Sequence, residues 1–231
     1  FEAIAKSVSI NILAKHKNQI HQLEALLLGQ AGLLKQEFEE DYAILLQKEY
    51  RFLSSKYKLQ SIRQPVHFLR MRPFNFPTVR LAQLAALIHT SIHLFSKTSE
   101  EVSLQKVKEL FKVEPNDFWN YHYRFESEPK LKKKTIGENM IDNILINTIF
   151  PMLFAYGMYH QKQSIKDKVL KWLEEVKAEK NNITNKFEAL GVKNNHALDS
   201  QALIELKTQY CNHRRCLQCA IGNKLLGYGD K

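Results

Sequence analysis

Apolar residues recur at helical spacing along most of this chain. Ile4, Val8 and Ile12 repeat with a four-residue period, and Ile20, Leu23, Leu26 and Leu27 form a second stripe that closes at Gly29 and Gly32. From Asp41 onward Tyr42, Leu46, Leu53 and Tyr57 share one face of a longer helix. Glu39, Glu40 and Asp41 stand at its start, where acidic groups favour the positive end of the helix dipole. This helix is expected to end before Pro65. Pro73 and Pro77 bracket Phe74, Asn75 and Phe76 and impose an irregular connection, because proline restricts its own backbone and that of the residue before it. Pro77 suits the first turn of the next helix. There Leu81, Leu84, Ala85, Ile88, Ile92 and Phe95 form a stripe, and Ser99 is placed to cap a further helix carrying Leu104, Val107, Leu110 and Phe111.

One stretch departs from this rule. In FWNYHYRF the residues Trp119, Tyr121, Tyr123 and Phe125 alternate with Asn120, His122 and Arg124, a period of two in β-favouring residues. It reads as a strand whose partner is the extended region Val66 to Met71. In GENMIDNILINTIF the apolar side holds Met140, Ile141, Ile144, Leu145 and Ile149, with Asn139, Asn143 and Asn147 opposite. Pro151 is expected to kink or break that helix. Three more helices follow, over 164–177, 184–190 and about 198–210. The pattern predicts a mainly α fold, a single domain over 1–231 of about nine to eleven helices with one short two-stranded β element.

Composition narrows the classes of function. The chain has 231 residues, 44% of them hydrophobic, with a formal charge of +10, and its sequence pI is near 9.4. Such a surface attracts polyanions, DNA or RNA before an acidic membrane, without specifying which. Lys/Glu-rich helices that are merely solvated give the same charge. The 8 glycines are scattered singly, and no phosphate loop, nucleophile elbow or HExxH motif is present, so no catalytic residue is assigned. No secretory signal pattern is visible, and the most apolar stretch, Ile144 to Tyr159, falls short of the ~20 residues that span a bilayer. The expectation is a cytoplasmic protein with no membrane role.

The candidate chemistry lies in four places. Arg63, Arg70, Arg72 and Arg80 interleave with Phe68, Phe74 and Phe76, which suits phosphate gripping beside base stacking. The opposing reading has the rings anchoring the connection and the arginines bonding nearby acids or carbonyls. Lys132, Lys133 and Lys134, and Arg214 with Arg215, extend the basic set. His89 and His93 sit four apart with no carboxylate on the same turn, a spacing that more often packs or caps than chelates. Glu138 and Asp142 are one helical turn apart, as half of an acid/base or divalent-metal site or as ordinary first-turn acids. Finally, all 3 cysteines fall within YCNHRRCLQC. Cys211, Cys216 and Cys219, with His213 as a local fourth ligand, match the spacing of zinc and iron–sulfur sites. Three thiols packed at a helix corner, or a local disulfide, fit the same residues.

The phrases LRMRPFNFPTVRLAQLAALI, GENMIDNILINTIFPMLFAYG, DSQALIELKTQYC and RCLQCAIGNKLL resemble the C-terminal half of a bacterial family catalogued as a domain of unknown function, DUF2851. The resemblance runs from about Ala5 to Leu226. It implies a protein about twice this length whose N-terminal half is similar to a metal-dependent restriction-type nuclease core, with Phe1 as a boundary. On that basis two functions are expected. The first is a nucleic-acid-binding helical accessory domain of a nuclease-like protein. The second is a structural or protein-interaction domain without a nucleic-acid role, which packs against the N-terminal half and self-associates without it.

Overall fold

The computed structural model describes residues 2–91, 93–126 and 131–227, and α-helix dominates them. The helices are α1 (Glu2–Ser7), α2 (Ile10–Lys15), α3 (Ile20–Gln30), α4 (Asp41–Tyr57), α5 (Pro77–Thr90), α6 (Leu94–Glu100) and α7 (Leu104–Glu109). They continue as α8 (Asp117–Tyr121), α9 (Glu138–Ile144), α10 (Phe150–Tyr159), α11 (Gln163–Glu175), α12 (Asn182–Ala189), α13 (Ala197–Glu205) and α14 (Ala220–Leu225). The fold is mainly α, as the apolar spacing predicts. Among the described residues the only β pairing is one isolated antiparallel bridge, Lys177 with His196.

These residues divide into two compact units, 1–100 with 105–141, and 101–104 with 142–231. In the first, α3 packs against α4 and α5. Leu23, Leu26, Leu27 and Leu28 of α3, Ala43, Leu46 and Leu53 of α4, and Leu81, Ala82 and Ala85 of α5 are buried there with Trp119. Gly29 is required because the Tyr50 ring lies where its Cβ would stand. α4 ends on Lys58 in the left-handed region (φ 52°), short of Pro65 as expected. Within this apolar packing sits a carboxyl. Glu24 is fully buried on α3, and its Oε2 accepts hydrogen bonds from Trp119 Nε1 (2.8 Å) and Tyr42 Oη (2.9 Å). Burial pushes its pKa up to about 7, against the downward pull of those two donors.

In the second unit α10 packs on α11, and α13 lies against both α11 and α12. Leu145, Phe150, Leu153, Val169 and Trp172 are buried there. The Trp172 Nε1 donates to the Val102 carbonyl at 3.2 Å.

Four expectations are corrected. FWNYHYRF is not a strand: Asn116 caps the single helical turn α8 through the Phe118 N–H (3.1 Å), and Val66 to Met71 is irregular and pairs with nothing as a sheet. Burial of Trp119 and Phe125 in one core, rather than pleating, accounts for its aromatic spacing. α5 stops at Thr90 and His93 adopts φ 55°, so the apolar stripe does not run on to Phe95; Ile92 lies outside the described residues. Ser99 falls inside α6, and the turn before α7 is held instead by the Glu101 carboxylate, which accepts from the N–H groups of Val102 and Ser103.

The fourth concerns one of the two alternatives at Pro151: the helix is not broken there. Leu145–Ile149 forms a π-helical turn in which Phe150 N–H reaches the Leu145 carbonyl, and this wider turn makes room for the proline ring against the preceding carbonyls. The result is a continuous helix from Glu138 to Tyr159, 22 residues long, so the length shortfall expected from sequence does not hold. By length and composition it is apolar enough to cross a membrane, and 33% of its most apolar window is buried. A core helix of a soluble protein meets the same length and composition test.

Candidate nucleic-acid interface

The prolines at 73 and 77 set the local geometry. Pro73–Asn75 is one 3₁₀ turn, and Pro77 begins α5. The connection therefore folds back as an aromatic cluster. Phe68 and Phe76 meet edge to face at 5.2 Å, and Tyr123 lies 6.3 Å from Phe74 and 6.4 Å from Phe76. Into these rings the protein directs its own cations. The Arg124 guanidinium sits 4.3 Å from the Phe68 centroid and 4.8 Å from that of Phe76. Lys132 Nζ stands 5.1 Å from Phe74, and Lys134 Nζ 4.3 Å from Tyr123. Ring faces occupied in this way offer little stacking surface to a base, since a base has to displace a cation–π contact of about 0.5–2 kcal/mol.

The basic residues named from sequence separate into two groups. Arg80 is held within the fold, its guanidinium donating to Asn75 Oδ1 at 2.6 Å and Gln83 Oε1 at 2.8 Å, and burial lowers its pKa. Lys134 has 0% exposure. Its ammonium donates to the carbonyls of Lys132 (2.9 Å) and Asn120 (3.1 Å), and the buried Gln83 amide donates to its own carbonyl at 2.7 Å. Burial, then the neighbouring Lys132 charge, pulls its pKa down. Arg70, Arg72, Lys132 and Lys133 are exposed. Lys133 reaches Glu114 at 3.6 Å, a solvated pair of small effect. Lys132 lies over Phe74, and the exposed Arg72 precedes that ring by two positions in the chain. Arg214 and Arg215 are exposed in the second unit.

Sequence reading did not single out Arg124 or Tyr123. Both lay inside the stretch read as a strand, where alternation assigned them to opposite faces. In the structure each belongs to the cluster.

His89 is not paired with His93: its Nδ1 lies 2.6 Å from the Lys17 carbonyl, and the helix ends between the two. Glu138 is the first residue of α9 and exposed.

The three cysteines line one apolar cavity of about 330 Å³ with Phe187, Leu206, Tyr210 and Arg215. α13 continues as a π-helical turn to Cys211, Arg214 turns the chain at φ 53°, and Cys216–Gln218 forms a 3₁₀ turn. Cys219 then stands at the N-cap position of α14, so Cys216 and Cys219 share a turn ahead of that helix. His213 is exposed in the connecting turn. Among the described residues no three His, Cys, Asp or Glu side chains gather closely enough to hold a metal ion. Structural zinc takes four such donors, catalytic zinc three with a water, and a plant-type iron–sulfur cluster four.

Taken together the fold and its surface define a basic, mainly helical protein. The chain belongs to the family described as Protein of unknown function (DUF2851), whose model matches residues 1–182. The match takes in the arginine and aromatic cluster and ends before the cysteine segment. No curated protein and no solved structure matches the chain.

Proposed function

We propose that this chain binds nucleic acid through the phosphate backbone, as an accessory domain of a nuclease-like protein. The observation that carries this reading is the placement of Lys132 over Phe74 beside Arg72, which sets exposed cations on a cluster made rigid by rings and prolines. Arg70 and Lys133, also exposed, stand next along the chain and add to the positive charge of this segment. With the ring faces taken by Arg124, Lys132 and Lys134, contacts go to phosphates and carry little base specificity. The +10 charge speeds the encounter.

Binding of labelled single-stranded DNA, duplex DNA and RNA, followed by fluorescence anisotropy across a salt series, tests the reading. The expected result is an affinity that falls log-linearly with salt, by about 0.7 in slope for each phosphate contact on a single strand, with similar values for unrelated sequences. Absence of binding at the lowest salt overturns it.

That outcome favours a second reading, a protein-interaction domain. Its support is an apolar cavity of about 740 Å³ between α10 and α11, lined by Phe150, Phe154, Met158, Leu170 and Leu173, with Met152 and Tyr159 exposed nearby. Surfaces of this kind serve partners or self-association. Light scattering then shows concentration-dependent association in place of a monodisperse monomer.

A further inference from the structure

We propose that Cys216 and Cys219 form a dithiol–disulfide couple that exchanges with small anionic disulfides of the glutathione class. The turn supplies the geometry. Cys219 N–H donates to the Cys216 carbonyl at 3.2 Å, closing a four-residue turn. Such a turn holds its first and last Cα atoms within about 7 Å, and a disulfide spans Cα atoms roughly 4.4–6.8 Å apart. The turn is clamped on both sides. Arg215 N–H donates to the Tyr210 carbonyl at 3.0 Å, and Asn223 N–H to the Cys219 carbonyl at 2.8 Å. Gly222 lies so close to the Cys216 carbonyl that any side chain at 222 meets it. Forming the bond therefore needs side-chain rotation and little backbone movement.

Exposure divides the labour. Cys216 is exposed and Cys219 half-buried, so an external disulfide meets Cys216 first. Both cysteines line the cavity that Cys211 also lines, and Arg215, exposed and adjacent in sequence to Cys216, lines its edge. Its exposed guanidinium, next in sequence to Cys216, suits a carboxylate of glutathione at the cavity's rim. Two sulfurs within one turn suffice for this chemistry, whereas a metal requires further donors to converge.

The exchange balances in two steps. The Cys216 thiolate attacks one sulfur of glutathione disulfide, forming a mixed disulfide and releasing glutathione thiolate, which takes up the proton that Cys216 lost. The Cys219 thiolate then attacks the Cys216 sulfur, forming Cys216–Cys219 and releasing the second glutathione. Two protein thiols are oxidised and one external disulfide is reduced.

The test equilibrates the whole chain with graded ratios of reduced and oxidised glutathione, quenches with acid, alkylates and digests with trypsin. Cleavage after Lys207, Arg214, Arg215 and Lys224 leaves Cys216 and Cys219 on one peptide and Cys211 on another. The expected result is that residues 216–224 lose both alkylation sites together and become lighter by two hydrogens, while Cys211 stays alkylated. In Cys219→Ser the second step is blocked, and glutathione held on Cys216 rises on the order of tenfold. Any of three results overturns the proposal: full alkylation at every ratio, a cross-link that includes Cys211, or glutathione adducts on Cys216 unchanged by Cys219→Ser. A fourth, thiols that alkylate only after a chelator strips bound metal, overturns it in favour of a metal site.

Discussion

Lys134→Ala is expected to destabilise the first unit by about 3 kcal/mol, because it removes a buried donor from two carbonyls and leaves a void. The lysine has no exposure, and its Nζ bonds the Lys132 and Asn120 carbonyls and lies 4.3 Å from the Tyr123 ring centroid. Lys134→Met keeps most of the volume and loses only the donors, so a cost of about 2 kcal/mol follows. Urea unfolding monitored by Trp119 fluorescence in a Trp172→Phe background reads this unit, since the chain has 2 tryptophans, one in each unit. Both variants are expected to keep the salt slope of nucleic-acid binding at temperatures where they remain folded. If Lys134→Ala changes stability by less than about 0.5 kcal/mol, an exposed residue is indicated and the buried placement is wrong.

The second large effect is a pH dependence centred on Glu24. Its folded pKa of about 7 stands above the ordinary 4.5 because burial disfavours the charged carboxylate. The folded state then holds a proton that the unfolded chain has released throughout the interval between these values. Stability from this group is complete below pH 4.5, declines as pH rises toward 7, and is level above it. The decline amounts to about 3 kcal/mol. Glu24→Gln cannot ionise, and its amide oxygen can accept from Trp119 and Tyr42. The wild-type minus Glu24→Gln stability difference, measured by urea unfolding from pH 4 to 8, is expected to fall across that window and flatten beyond it. A difference that stays constant contradicts a buried, raised carboxyl.

Neither effect is visible in the sequence, for the same physical reason. LKKK reads as a solvated run, and only a fold that brings Asn120 and Gln83 around Lys134 reveals a buried ammonium. Glu24 follows Leu23 in an apolar stripe, and its donor Trp119 is 95 residues away. Local signals fared better. The stripes of α3 and α4, that of α5 as far as Ile88, and the role of Pro77 as an opening residue are decided by nearby spacing and backbone restriction, and they appear where expected. Spacing misled where a longer-range demand overrode it. Trp119 and Phe125 fill one core around a single capped turn, which mimics the alternation of a strand. Pro151 is absorbed because Leu145–Ile149 adopts a π turn, a choice that helix propensity does not announce. Of the candidate interface, the arginines and phenylalanines were legible as a group. That Arg124, Lys132 and Lys134 lie over the rings depends on tertiary pairing.

How the proposed interface of the first unit meets a nucleic-acid strand is open to direct measurement. The most direct measurement compares an ordinary single-stranded oligodeoxynucleotide with an abasic strand of equal length, for the wild-type chain and for Arg72→Ala combined with Lys132→Ala. Backbone binding predicts nearly equal affinity for the two strands, and a log–log salt slope reduced by about 1 to 1.5 in the double variant. An abasic strand that binds tenfold or more weakly, or a slope unchanged by removing both cations, contradicts it.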